Sequence, residues 1–118
     1  MPTPPEIIAT LEGNSDPDAK VLLQMAEIGA DLTKPHEPEF AFEASTQTNA
    51  IAIGNQLSTL GYSVELYGPS DENPNYFVVA KCTMVLELNS LIQRSAHFEI
   101  LAQQYSVSYD GWGAEIVE

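Results

Sequence analysis

Polar and apolar residues alternate strictly through Glu39-Phe40-Ala41-Phe42-Glu43. A period of two marks a half-buried strand, so Phe40 and Phe42 are expected to face a core. The period then lengthens. Between Thr48 and Leu60, Ala50, Ile53, Leu57 and Leu60 share one face of a predicted helix, and Gly61 stands where a helix commonly stops. YSVELY follows as a second strand with Tyr62, Val64 and Leu66 on one side, and GPSDENPN is a loop by composition.

The longest apolar run predicts a third strand from Tyr76 to Leu88. Val78, Ala80, Cys82, Met84 and Leu86 lie on one of its faces, and Phe77, Val79, Lys81, Thr83 and Val85 on the other. Ser90 with Gln93 has the form of a capping box, opening a helix whose buried stripe is Leu91, Ser95, Phe98 and Ala102, flanked by Leu101. VSYDGWGAEIV closes the chain as a strand interrupted at Asp110 and Gly111. A bulge or kink with positive φ at Gly111 is the simplest account of that interruption.

The resulting order, β-α-β-β-α-β, predicts an α+β fold of the ferredoxin-like sandwich type: a four-stranded antiparallel sheet with two helices on one face. Right-handed crossovers put the first and third strands at its centre. An additional N-terminal helix is expected over residues 17–29. Ser15 or Asp16 can cap it, Pro17 suits its first turn, Asp18 complements its positive end, and Leu22, Met25, Gly29 and Leu32 supply its stripe, with Val21 and Ile28 alongside. Residues 1–13 are Pro-rich and read as a loosely packed tail carrying Ile7, Ile8 and Leu11, and GADLTKPHEP reads as a linker. The expected organisation is thus a tail, helix and linker over residues 1–35 and one ferredoxin-like domain over residues 36–118.

Charge narrows the range of partners. Seventeen carboxylates oppose four basic side chains in 118 residues, a formal charge of -13. Lys20, Lys34, Lys81 and Arg94 are scattered singly, so no basic stripe is available to replace phosphate counterions. Nucleic acid and acidic membranes are disfavoured, whereas a basic protein surface is attracted. No apolar run approaches the roughly 18–20 residues needed to cross a bilayer. The opening MPTPPEIIATLEG lacks the features of a signal peptide, and Cys82 is the single cysteine, so a reducing cytoplasmic setting is expected.

Catalytic and cofactor chemistry finds little support in the residues. His36 and His97 have no ligand spacing with Cys82, and Pro38 works against convergence within His36-Glu37-Pro38-Glu39. Asn14, Asp16 and Asp18 imitate the start of a calcium loop, but Ala19 and Met25 occupy the positions that need Gly and Glu. Cys82, mid-strand on an apolar face, suits a small buried hydrophobe better than a nucleophile. No catalytic residue, metal or cofactor is therefore assigned. A protein-binding surface is assigned to Tyr109, Asp110, Trp112, Phe77 and Lys81, because aromatic side chains often dominate interface energetics. For Trp112 the favoured reading is structural, anchoring the last strand against a helix while Gly111 and Gly113 relieve crowding, and a place on the binding surface with Tyr109 and Asp110 is the alternative. RNA stacking on Phe77 is the weaker alternative, with Lys81 the only base on that face.

The stretch NSLIQRSAHFEILAQQYSVSYDGWGAEIVE, with its core at Tyr109 to Gly113, resembles the end of RraB-family proteins, regulators of ribonuclease E activity. LGYSVEL at Leu60 to Leu66 resembles the family's middle, and the similarity is best from Phe40 to Glu118. The resemblance implies a ferredoxin-like, non-catalytic inhibitor that binds the C-terminal scaffold of ribonuclease E and so modulates RNA degradation. The family pattern adds a long acidic tail, whereas this sequence ends a few residues after DGWG. Another cytoplasmic protein, or a second copy of the chain, is the alternative partner.

Overall fold

A computed structural model of the protein describes residues 3–118. The chain divides into two compact units: residues 1–37, 83–94 and 114–118 form the first, and residues 38–82 and 95–113 the second.

The second unit contains the strands β2 (Glu39–Ala44), β3 (Ser63–Tyr67), β4 (Tyr76–Lys81) and β6 (Ser108–Gly113). They form an antiparallel sheet in the order β3-β4-β2-β6, so the two strands expected at the centre occupy it. Helix α3 (Gln47–Thr59) and the later turns of α4 (Leu88–Gln104) cover one face, giving an α+β fold with helices on one side of a four-stranded sheet. Phe40, Phe42, Val78 and Ala80 are fully buried beneath them. Phe98 of α4 lies at the middle of an aromatic cluster, its ring 4.9 Å from Phe40, 5.4 Å from Phe42, 5.6 Å from Tyr62 and 5.4 Å from Tyr109.

Local chemistry accounts for the limits of α3. The Thr46 hydroxyl accepts from the Asn49 amide at 3.2 Å, satisfying one of the amides a helix start leaves unpaired. Gly61 follows the helix with φ 99°. Ala50, Ile53, Gly54 and Leu57 form its buried face, whereas Leu60, expected on that stripe, sits at the C-cap and is 44% exposed. Gly54 lies above the sheet: a Cβ there would meet Val64 Cγ1 at 3.6 Å and Val78 Cγ1 at 3.9 Å.

In the first unit, α2 (Pro17–Glu27) begins as expected, with the Asp16 carboxylate accepting from the Asp18 amide at 2.9 Å. Its buried side chains are Ala19, Leu22, Met25 and Ala26; Ile28 lies beyond its last turn and is 70% exposed. The segment expected as a loose tail instead forms α1 (Pro5–Glu12), which Pro5 can open because its missing amide hydrogen has no intrahelical partner there. Leu11 is its buried residue.

Two further expectations are corrected. The third strand does not run to Leu88: β4 ends at Lys81, and Met84–Val85 form a separate strand, β5, antiparallel to β1 (Pro35–His36) within the presumed linker. Cys82 stands at the break and is half-buried. Nor does Ser90 cap α4, since that helix already begins at Leu88 and Ser90 lies inside its first turn. His36 is 1% exposed and serves the backbone on both sides: Nδ1 lies 2.9 Å from the Lys34 carbonyl oxygen, and Nε2 accepts from the Val117 amide at 3.2 Å. Among the described residues, no helix is long and apolar enough to cross a membrane.

Candidate protein-binding surface

Residues paired directly across antiparallel strands project to the same side of the sheet. The register therefore gives the composition of the face opposite the helices. Ser63, Lys81, Glu39 and Gly113 form one row; Glu65, Val79, Ala41 and Gly111 the next; Tyr67, Phe77, Glu43 and Ser108 the third. The centre is small and apolar, at Ala41 and Val79. Three carboxylates and two aromatic side chains surround it.

Each carboxylate is oriented by a neighbour. Glu39 Oε1 lies 3.2 Å from Lys81 Nζ, with the Glu39 side chain exposed and that of Lys81 partly so. Glu43 Oε2 accepts from Asn75 Nδ2 at 2.5 Å, and Glu65 Oε2 accepts from the Tyr67 hydroxyl. That hydrogen bond, reinforced by the Glu65 charge, raises the Tyr67 pKa above the usual tyrosine value, because ionising the phenol would set two negative groups together. With Lys81 balanced by Glu39, Glu43 and Glu65 give the face its net negative character. An exposed ion pair such as Lys81–Glu39 contributes little to stability, about 0–1 kcal/mol, so its effect lies mainly in shaping the local field.

The five residues assigned from the sequence divide between the two faces. Phe77 and Lys81 lie on the face opposite the helices, both half-exposed. Tyr109 and Trp112 lie on the helix side, paired with Phe42 and Phe40 respectively. Regular alternation would send residues three apart to opposite faces. Here the register shifts between Ala41 and Phe42, leaving Asp110 as the extra residue while Gly111 takes φ 99°. The bulge thus turns Tyr109 and Trp112 to the same side. Tyr109 packs with its ring 5.2 Å from Phe42, whereas Asp110 is exposed and its Oδ1 accepts from the Ser108 hydroxyl at 3.3 Å.

Glu43, Glu65 and Tyr67 belong to the outer face but were absent from the sequence-based assignment. Their signal was present in the alternation: once Phe40 and Phe42 point inward, Glu39, Ala41 and Glu43 must point outward. Among the described residues, no group of three or more His, Cys, Asp or Glu side chains gathers to hold a metal ion. The arrangement can present an apolar centre and fixed negative charge to a complementary surface.

Among known families, the one described as RraB, Regulator of ribonuclease activity B, matches residues 15–114. The matched span begins upstream of Phe40, the start of the best sequence resemblance, and includes α2 as well as the sheet. No curated protein matches the chain.

Proposed function

The chain belongs to the RraB family of regulators of ribonuclease activity, which are not enzymes, and from that premise we propose that it acts by binding a ribonuclease E-type endoribonuclease through the acidic outer face of its sheet. The observation that carries this reading is the row structure of that face, with Glu43 and Glu65 oriented around Ala41, Val79 and Phe77. Its target is a basic segment of the enzyme's C-terminal scaffold. The net charge of -13 accelerates encounter with such a segment and disfavours nucleic acid as a direct ligand.

On this reading the fold is ferredoxin-like, a description supported by the β2-α3-β3-β4-α4-β6 succession and the β3-β4-β2-β6 strand order. Residues 36–118 carry the regulatory activity, residues 1–35 extend it, and the protein works in the cytoplasm, where its target acts. Asp110, displayed by the bulge, adds charge at the β6 edge, while Tyr109 and Trp112 hold that edge in position from the helix side.

The test is an endoribonuclease cleavage assay with the parent protein and a Glu43→Gln/Glu65→Gln double variant. The parent is expected to slow cleavage, and the variant to need about five- to tenfold more protein for the same effect, corresponding to about 1 kcal/mol for two exposed charges. Equal potency of the two proteins would remove the outer face from the account.

A second reading rests on β3, which lies at the edge of the sheet with Leu66 and Tyr67 each 50% exposed. An exposed edge can add a strand from another chain, including a second copy or a different cytoplasmic protein. Concentration-dependent dimerisation that Leu66→Lys abolishes would favour this reading, and a monomer at all concentrations would count against the homo-oligomer.

A further inference from the structure

The first unit holds an apolar cleft of about 500 Å³, within the size range of ligand-binding pockets. Leu11, Leu22, Leu32 and Leu86 line it and are each no more than 3% exposed. Ile7 and Leu88 are half-buried in its walls, and Val85 is 45% exposed. Ile7 and Leu11 stand one helical turn apart on α1, so one face of this short helix is given to the cleft.

Among the described residues, the ionisable groups lining the cleft are Glu6 and Glu87, both exposed, and the other polar lining residues, Thr10, Thr33 and Asn89, are neutral. An occupant must therefore satisfy two conditions. It must insert aliphatic surface, and it must tolerate or welcome carboxylates beside that surface. A fatty acid or another anionic amphiphile meets the first condition but brings its own negative group to Glu6 and Glu87. A peptide with basic residues next to its aliphatic anchors meets both, and a chain of net charge -13 attracts it from a distance.

We propose that this cleft docks an amphipathic, cationic peptide segment of another protein, which inserts aliphatic side chains at i, i+3 and i+4 spacing and sets lysine or arginine against Glu6 and Glu87. This is the helix-in-groove mode of recognition, with leucines from four parts of the chain providing the groove. The cleft shares no lining residue with the outer sheet face and does not depend on that face having a partner.

The test is a fluorescence-anisotropy titration of the full chain with a labelled peptide of leucine and lysine that places leucines at i, i+3, i+4 and i+7, followed by methyl NMR of the complex. Saturable binding is expected, with shifts at the Ile7 and Val85 methyl groups. Val85→Ser should weaken binding about fivefold through lost apolar contact. Glu6→Gln with Glu87→Gln should weaken it about tenfold and flatten its salt dependence. The outer-face variant Glu43→Gln/Glu65→Gln should bind the peptide as the parent does. The proposal is overturned by an absence of saturable binding, by equal binding of a peptide with glutamate in place of lysine, by preferential uptake of dodecanoate, or by sensitivity to the outer-face substitutions alone.

Discussion

Replacing Gly111 with alanine isolates the bulge that decides which way Tyr109 and Trp112 face. Gly111 has φ 99°, and nothing lies within 4 Å of where its Cβ would be, so the substitution adds backbone strain without a clash. Holding a residue with a Cβ in that region costs about 1–3 kcal/mol. Alanine also narrows the unfolded ensemble, returning about 0.4–1 kcal/mol. The expected net loss is about 1–2 kcal/mol. At roughly 3–6 °C per kcal/mol for a chain of this length, the Tm should fall by roughly 3–12 °C. Gly113→Ala is the matched control, because Gly113 is exposed at the end of β6, its φ is not positive, and its Cβ would also enter open space. That variant should stay within about 0.5 kcal/mol of the parent. Urea and thermal denaturation followed by circular dichroism measure both. Parent-like stability in Gly111→Ala, or an equal fall in Gly113→Ala, would refute the assignment of the strain to the bulge. Deleting Asp110 makes the complementary change. Tyr109, Gly111 and Trp112 would then alternate regularly opposite Phe42, Ala41 and Phe40, so the pairing and the near-ultraviolet aromatic signal should survive.

Phe98→Ala removes the ring at the centre of the aromatic cluster and is expected to cost about 3–5 kcal/mol, read from the urea midpoint with an unchanged m-value. Gly54→Ala should be neutral or stabilising by up to about 1 kcal/mol, since its Cβ would make ordinary contacts with Val64 and Val78 while improving helix propensity. The Asp31 carboxylate accepts from the Thr33 hydroxyl at 2.6 Å and its amide at 3.0 Å, and these bonds hold its pKa below the usual aspartate value. A carboxyl pKa depressed by folding stabilises the protein above the unfolded-state pKa, and that contribution fades as pH falls through the lower folded-state value. Asp31→Asn should therefore differ most from the parent near neutral pH and converge with it in acid, as measured by urea unfolding across a pH series.

The elements legible in the sequence were those whose neighbours are fixed by periodicity. Glu39 to Ala44 kept its alternation because one face meets helices and the other does not. Thr48 to Leu60 kept its helical stripe for the same reason, apart from the cap residue Leu60. The break after Lys81 was hidden because the period of two continues through Cys82, Met84 and Leu86 while the strand partner changes from β2 and β3 to β1. Periodicity reports burial, not which chain segment supplies the hydrogen bonds. Helix α1 was obscured by its prolines, and it has no side-chain cap to mark its start. At the candidate surface, Phe77 and Lys81 followed from parity alone. The directions of Tyr109 and Trp112 depended on one extra residue in the ladder, whose presence the Asp-Gly pair suggested but whose effect on facing required the register.

The partner proposed for the acidic sheet face is the C-terminal scaffold of a ribonuclease E-type enzyme. A calorimetric titration of the full chain with that scaffold, at low and high salt, tests it most directly. Saturable binding is expected, weakening as salt rises and weakening further in Glu43→Gln/Glu65→Gln. Absence of binding at both salt concentrations would contradict it.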